Sequence, residues 1–251
     1  MMQMLARYTL SRLLPILVAG SISAVPVFAD VIARASFGDP TTRYDHGVLG
    51  DAVEWGSLTF VLTDGTTRRV ILPQSLVFED TSPRLADLDG DGSPEVIVVE
   101  SSQTQGARLA VYDASGRVAH TPHIGRKNRW LAPIGAADFT GNGRLEIAIV
   151  VTPHLSGSVQ LLSYENSRLS VIATAEGYTN HRIGDAEIAG GIRTCGPQPE
   201  LILAQMPWHR ASSAQMVALH LNGKALSPHS FSAPFTAKNV AAAQACALNP
   251  R

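Results

Sequence analysis

Short apolar runs that alternate with polar residues recur along most of the chain and predict β-strands joined by tight turns. The clearest unit comprises runs at 146–152, 158–164 and 168–174, with a turn at 165–167. An alternation with a period of two, bounded by Gly, Asn, Asp and Ser, is typical of strands in antiparallel hairpins. The pattern therefore predicts an all-β fold of up-and-down antiparallel sheets.

The same pattern returns with a period near fifty residues. Acidic or glycine-rich loops begin at Asp87 and Asp138, and eroded copies begin at Glu187 and Gln244, which gives spacings of 51, 49 and 57 residues. The third copy carries a five-residue insertion through Cys195. A long period without a helical pattern, with strands for a four-stranded sheet in each unit, predicts the blades of a β-propeller.

The two ends of the chain are expected to complete one blade together. The N-terminal part offers strands at 31–36, 57–62 and 68–72 but no innermost strand, which 239–245 would supply. Such sharing would close a ring of about four four-stranded blades over residues 30–251 and protect the sheet edges. A fifth blade would need about fifty more residues, unless strands lie within 37–55.

The first 29 residues predict export. Arg7 and Arg12 precede an uncharged run of 17 residues at 13–29, which ends in the small-residue pattern Val27-Phe28-Ala29 of a cleavage site. The alternative is an uncleaved anchor, although the run is at the lower limit for spanning a bilayer and contains two prolines. Cleavage would place the protein in the periplasm or outside the cell, with no membrane span.

Removal of this segment takes away two of the 20 basic residues and none of the 21 acidic ones, so the net charge becomes −3. A negative net charge makes nucleic acid an unfavourable partner. We expect a monomer that binds an extracytoplasmic protein, a glycan or a small anion.

The loop that begins at Asp87 has the composition of a calcium site. Carboxylates at its first, third and fifth positions, a backbone carbonyl at the seventh and a carboxylate at the ninth place oxygens around one point. The ligands would be Asp87, Asp89, Asp91, Ser93 and Glu95. An all-oxygen set favours Ca²⁺, because zinc would recruit His or Cys. The alternative is a solvated acidic turn.

The second loop repeats the spacing with fewer charges. Its donors would be Asp138, Thr140, Asn142, the Arg144 carbonyl and Glu146. Because only two of them are charged, weaker calcium binding is expected here. The third and fourth loops have lost the pattern.

Residues 87–98 and 138–148 resemble the FG-GAP/VCBS repeat, which occurs in integrin α-subunit propellers and in many exported bacterial proteins. The resemblance, with two good and two eroded copies, covers residues 82–251. It implies a β-propeller with calcium between the first and second strands of a blade, and adhesion or other binding roles. It makes the five positions of each of the two loops above calcium ligands. The chain has about four units where integrins have seven, so an integrin-like ligand is not transferred.

Cys195 and Cys246 both fall in loops that have lost the calcium pattern. Two cysteines in an exported protein predict a single disulfide, which would order these loops in place of calcium. The alternative is a pair of buried free thiols.

Two functional classes remain open. A binding module is favoured because the chain has no catalytic motif of known spacing. An exported hydrolase or lyase would use the irregular segment 37–56, with His46 as base and Asp51 or Glu54 as its partner. That segment could equally be a lid that packs Tyr44 and Trp55 over the ring. Trp130 and Trp208 are expected to lie between blades.

A basic residue precedes each predicted innermost strand: Arg84, Arg129, Arg182 and Lys238. Such residues would surround the mouth of a central channel, opposite the calcium loops, and attract an anionic ligand. The alternative is that they pair with nearby acids such as Asp80 and Asp185, or face water.

Overall fold

The structure, a computed structural model, describes residues 30–208 and 213–251, so the predicted signal peptide lies outside the described residues. This part of the chain is all-β apart from one helix. No described helix is long and apolar enough to cross a membrane. The elements are β1 (Ile32–Thr41), β2 (Glu54–Leu62), β3 (Thr67–Ile71), β4 (Leu76–Phe78), β5 (Arg84–Ala86), β6 (Glu95–Ser102), β7 (Gly106–Asp113), β8 (Gly116–His120), β9 (Leu131–Ala137), β10 (Glu146–Val151), β11 (Ser158–Glu165), β12 (Arg168–Ala175), β13 (Tyr178–Thr179), β14 (Gly191–Arg193), β15 (Glu200–Gln205), β16 (Gln215–Asn222), β17 (Ala225–Pro234) and α1 (Ala237–Gln244).

The strands form three antiparallel sheets. The first has the order β1-β2-β4-β6-β7-β8, with β3 beside β2 and β5 beside β6. The second is β12-β11-β10-β9, and the third is β13-β15-β16-β17 with β14 beside β15. The strands predicted at 146–152, 158–164 and 168–174 are therefore confirmed as the antiparallel strands β10, β11 and β12, with bounds that differ by one residue.

Each sheet turns the same face toward the sheet that follows it in the chain. Ile97 and Val99 of β6 share a core with Ile147 and Ile149 of β10. The opposite residues of β10, among them Ala148, pack with the third sheet. Trp130, 2% exposed, belongs to the core between the first and second sheets, as predicted. The sheets are thus stacked face to face in chain order.

The predicted C-terminal strand is wrong, because 237–244 form the helix α1. Thr236 caps its N-terminus by accepting a hydrogen bond from Asn239 N at 3.2 Å, and three consecutive alanines favour a helix. Val240 and Ala243 of α1 pack with Ile202 and other residues of the third sheet. The helix thus covers the face on which a next sheet would pack, and no blade shared by the two chain ends is formed.

The N-terminal strands also differ from the prediction. They do not form a separate blade, because β4 joins β2 to β6 in one eight-stranded sheet, with Trp55 opposite Phe78 and Phe78 opposite Glu100. The irregular segment is shorter than predicted and comprises residues 42–53. This segment contacts the connection between β13 and β14 of the third sheet, where Gly184 N donates a hydrogen bond to Val48 O at 2.9 Å.

Candidate functional site

The Asp87 loop connects β5 to β6 and draws three carboxylates together. Asp87, Asp89 and Asp91 each offer an oxygen, and these oxygens lie within 4.8 Å of one another. The turn requires positive φ at Gly90 (78°) and Gly92 (88°), a conformation that glycine adopts without strain. The three charges and their oxygen chemistry fit a hard cation such as Ca²⁺, which would screen their repulsion.

Backbone amides already hold these carboxylates in the turn. Asp87 accepts from Gly90 N at 2.8 Å and from Gly92 N at 3.0 Å, and Asp91 accepts from Ser93 N at 2.7 Å. Each carboxylate oxygen has more than one lone pair, so these bonds leave capacity for a cation. The loop is therefore shaped before any cation binds.

Glu95 is not part of the three-carboxylate cluster. It is 5% exposed, and its Oε2 accepts from Leu88 N at 2.8 Å. Burial, together with Asp89 and Asp91, raises the pKa of Glu95 to about 7. The structure therefore places Glu95 as a brace across the loop.

The second loop, between β9 and β10, repeats this frame with weaker ligands. Asp138 accepts from Asn142 N and Gly143 N at 3.0 and 2.8 Å. Glu146 again braces the loop by accepting from Phe139 N at 2.8 Å, and it also accepts from the Thr140 hydroxyl at 2.9 Å. Thr140 therefore donates its proton within the loop, and only two carboxylates are present.

The third loop begins at residue 194, not at Glu187, because Arg193 pairs with Glu200 as Ala86 pairs with Glu95 and Ala137 with Glu146. Only residues 194–199 separate the two strands. Cys195 lies in this loop and forms the predicted disulfide with Cys246. The disulfide fastens the loop to the residues that follow α1.

The predicted ring of four cations is not formed. Arg84 pairs with buried Asp80 at 2.7 Å, and Arg182 pairs with Asp185 at 2.7 Å. Lys238 lies in α1 and opens no strand. Arg129 remains in the predicted place, before β9, with Nη1 donating to Asn128 O at 3.1 Å. These ion pairs stabilise the charges of Arg84 and Arg182 within their own segments. The order of residues in the sequence does not show which acid each arginine contacts.

Two adjoining pockets lie at the beginning of β9, whereas the second loop lies at its end. One, of about 270 Å³, is lined by residues that include His46, Arg129, Trp130 and His154. The other, of about 240 Å³, shares Pro153, His154 and Ile183 with it and includes His181, Arg182 and Trp208. Among the described residues, neither lining contains a carboxylate. We call the two pockets together the histidine cleft.

The hydrogen bonds of the histidine cleft fix the tautomers of two histidines. His181 Nε2 lies 2.8 Å from Asp185 O, which can only accept, so this nitrogen donates. His181 Nδ1 then accepts from His154 Nε2 at 2.8 Å. Burial and the neighbouring His181 lower the pKa of His154 to about 4, in keeping with a neutral ring. His154 Nδ1 is therefore left as an acceptor, with no hydrogen-bond partner among the described residues.

His46 pairs with Glu79, not with the predicted Asp51 or Glu54. His46 Nδ1 lies 2.5 Å from Glu79 Oε1, and the hydroxyl of Ser101 donates to Glu79 Oε2. Ser101 is fully buried and bonded to the carboxylate, so it is not activated by the histidine as a nucleophile would be. Tyr44 packs in the core at 1% exposure, as the lid interpretation predicts, but Trp55 lies in β2.

Sequence reasoning missed the cleft residues His154 and His181, and it missed Glu79, the buried partner of the cleft residue His46. No motif or regular spacing connects these three residues in the sequence. They meet because the strands around them end on the same side of the stacked sheets. Trp130, which the sequence predicts to lie between blades, contacts one of them: its indole Nε1 donates to Glu79 O at 2.9 Å.

Repeated strand–loop–strand units with an oxygen-rich loop define a protein of stacked antiparallel β-sheets. A family model described as the FG-GAP-like repeat matches residues 57–149, which confirms the predicted resemblance. The match covers less than half of the chain and contains both oxygen-rich loops. No curated protein matches the chain significantly.

Two solved structures are similar to the chain at low identity. The rhamnogalacturonan lyase YesW is 14% identical with a TM-score of 0.42, over 75% of this chain and 47% of that one. The exotype rhamnogalacturonan lyase YesX is 12% identical with a TM-score of 0.42, over 81% of this chain and 56% of that one. The chain therefore spans about half the length of these structures.

Proposed function

We propose that this protein is an exported, calcium-binding β-propeller that acts as a binding module for an acidic glycan. The calcium site would be the Asp87 loop, with the second loop as a weaker site. The sheets would surround a common axis, since β9 packs against both β6 and β14. The disulfide favours an oxidising compartment outside the cytoplasm.

One observation supports the choice of ligand: the described residues that line the histidine cleft include arginines and histidines and no carboxylate. Arg129 and Arg182 could bind a carboxylate of the ligand. The free lone pair of His154 Nδ1 could accept from a sugar hydroxyl, a group that a simple carboxylate such as acetate lacks. A ligand with both carboxylate and hydroxyl groups therefore fits this lining best.

The test is calorimetric titration with uronic-acid oligosaccharides, their neutral parent sugars and inorganic phosphate, at low and moderate salt. We expect only the acidic sugars to bind, and Arg129→Ala to weaken binding by at least about tenfold, the loss for a charge-assisted contact. Arg144→Ala is the matched control because this exposed arginine lies at the opposite end of β9. Equal binding by Arg129→Ala and wild type would contradict the proposal, as would binding of phosphate alone.

The calcium part is tested separately by thermal melting with Ca²⁺ and with chelator. A ligand that binds only the folded state raises its stability, so chelation should lower the Tm of wild type. The difference in Tm between Ca²⁺ and chelator should be smaller in Asp89→Ala than in wild type, because only the weaker second loop would remain. A wild-type Tm that does not respond to chelation would remove calcium from the proposal.

The His46–Glu79 pair favours a second candidate function, an exported hydrolase or lyase. A histidine held by a carboxylate at the edge of a cleft can serve as a general base. If so, wild type should cleave an acidic oligosaccharide and His46→Ala should not. Binding without any release of product would leave the binding module as the function.

A further inference from the structure

A second group of metal-type ligands lies on the third sheet, far along the chain from the calcium loops. Glu200, His220 and His229 each offer one ligand atom, and these atoms lie within 4.8 Å of one another. Glu200 is directly opposite His220, and His229 is opposite Ala218 on the next strand. Because residues opposite each other share a face, all three side chains stand on the face that α1 covers farther along.

Glu200 occupies the same position in the third unit as Glu95 and Glu146 occupy in the first two. Glu95 and Glu146 each accept a backbone N–H from the loop before them. The third loop is shorter, with only 194–199 between the paired residues Arg193 and Glu200. Glu200 is instead held by Arg193, whose Nε and Nη2 both lie 2.6 Å from its Oε2. Both contacts with Arg193 use the same carboxylate oxygen.

His220 supplies an independent sign of a missing partner. Its Nδ1 is buried and has no hydrogen-bond partner in the described part of the chain. A buried polar atom without a partner loses its hydration with no compensation. The ring of His229 stacks on that of His220, with centroids 4.2 Å apart and an interplanar angle of 29°. The two rings are thus already adjacent.

We propose that Glu200, His220 and His229 bind a zinc-type divalent cation. Two imidazoles and one carboxylate are a known ligand set for zinc, with a fourth position open to water. Imidazole ligands favour Zn²⁺ over Ca²⁺, so this site differs in kind from the Asp87 loop. Arg193 acts as a positioning residue that orients Glu200 through Oε2.

The geometry requires only a small adjustment. Zinc bonds of about 2.0–2.2 Å bring ligand atoms to about 3.4 Å from one another in a tetrahedral site. His229 is exposed, so its ring can rotate toward His220 without disturbing the core. Zinc bound there would cross-link β15, β16 and β17 beside the disulfide loop.

The test is calorimetric titration of the untagged protein with Zn²⁺ in excess Ca²⁺, which keeps the Asp87 loop occupied. We expect saturable binding of zinc, at least about tenfold weaker in His229→Ala than in wild type. His120→Ala, which removes another exposed histidine, should bind as wild type does. Each variant keeps seven of the eight histidines, so the difference reports position and not histidine content.

A second readout separates metal binding from folding. In chelator, His229→Ala and wild type should have the same Tm, and zinc should raise only that of wild type. Co²⁺ in place of zinc should give the visible absorption of a four-coordinate site. The intensity of this absorption should be lower in His229→Ala and in Glu200→Gln than in wild type. Zinc affinities that are equal in wild type and His229→Ala, or no saturable zinc in wild type, would overturn the proposal.

Discussion

Cys195 and Cys246 join the third inter-strand loop to the residue that follows the C-cap of α1. The disulfide occupies the loop position that Leu88 and Phe139 hold in the first two loops, where each is fully buried. One covalent bond therefore fastens both the loop that lacks a calcium pattern and the helix that covers the last sheet.

Loss of this disulfide should destabilise the protein even when calcium is present. The bond closes a loop with a sequence separation of 51, for which the chain-entropy estimate is about 4 kcal/mol as an upper value. We expect the double variant Cys195→Ser/Cys246→Ser to have a lower free energy of unfolding than wild type, by part of this estimate, in urea denaturation with Ca²⁺. An unchanged free energy of unfolding would show that the helix and loop are ordered without the bond.

The substitution Asn142→Asp should strengthen calcium binding at the second loop. It adds a third carboxylate where only Asp138 and Glu146 are charged, so the charge count approaches that of the first loop. Calcium titration in an Asp89→Ala background isolates this loop. Asn166→Asp, at an exposed hairpin turn, is the control and should leave calcium affinity unchanged. An Asn142→Asp affinity no higher than the control's would exclude calcium from this loop.

Buried Glu54 should make stability fall as pH rises. Burial, then Glu79, Asp51 and Asp80, raise its pKa to about 9 from 4.5. The folded state thus holds this proton more tightly than the unfolded state, so the contribution is complete below pH 4.5 and lost as pH rises through 9.

The measurement is the midpoint of urea denaturation between pH 5 and 9 for wild type and Glu54→Gln. The variant cannot ionise at this position, so its midpoint should fall less over that range. Parallel pH curves for the two proteins would show that Glu54 is not protonated in the folded state.

Gly106 should be far less tolerant of alanine than Gly65. Both have positive φ, 71° and 85°. A Cβ at Gly106 would lie 2.3 Å from Arg126 O, whereas one at Gly65 meets nothing within 4 Å. Gly65→Ala carries only backbone strain, of about 1 kcal/mol, and Gly106→Ala adds displacement of the segment that carries Arg129. Thermal melting would contradict this if both variants lost the same stability.

The pattern of residues along the chain is enough to predict the strands and the oxygen-rich loops. Alternation marks strands such as Ser158–Glu165 and Arg168–Ala175, because period two depends only on which face of a strand is buried. The spacing of residues predicts a calcium site in the Asp87 loop because the proposed ligands are close neighbours in the chain. The pairing of Cys195 with Cys246 followed from there being only two cysteines.

The structure of the C-terminal end, and the contacts between residues far apart in the chain, depend on tertiary packing. Residues 239–245 are too short and alanine-rich to distinguish strand from helix by pattern, and packing on Ile202 selects the helix. His46, His154 and His181 converge because three stacked sheets end at one cleft, a relationship that no spacing in the sequence expresses. Likewise, Glu200 and His229 become neighbours only through the register of three adjacent strands, since contact across a sheet is set by pairing and not by distance along the chain.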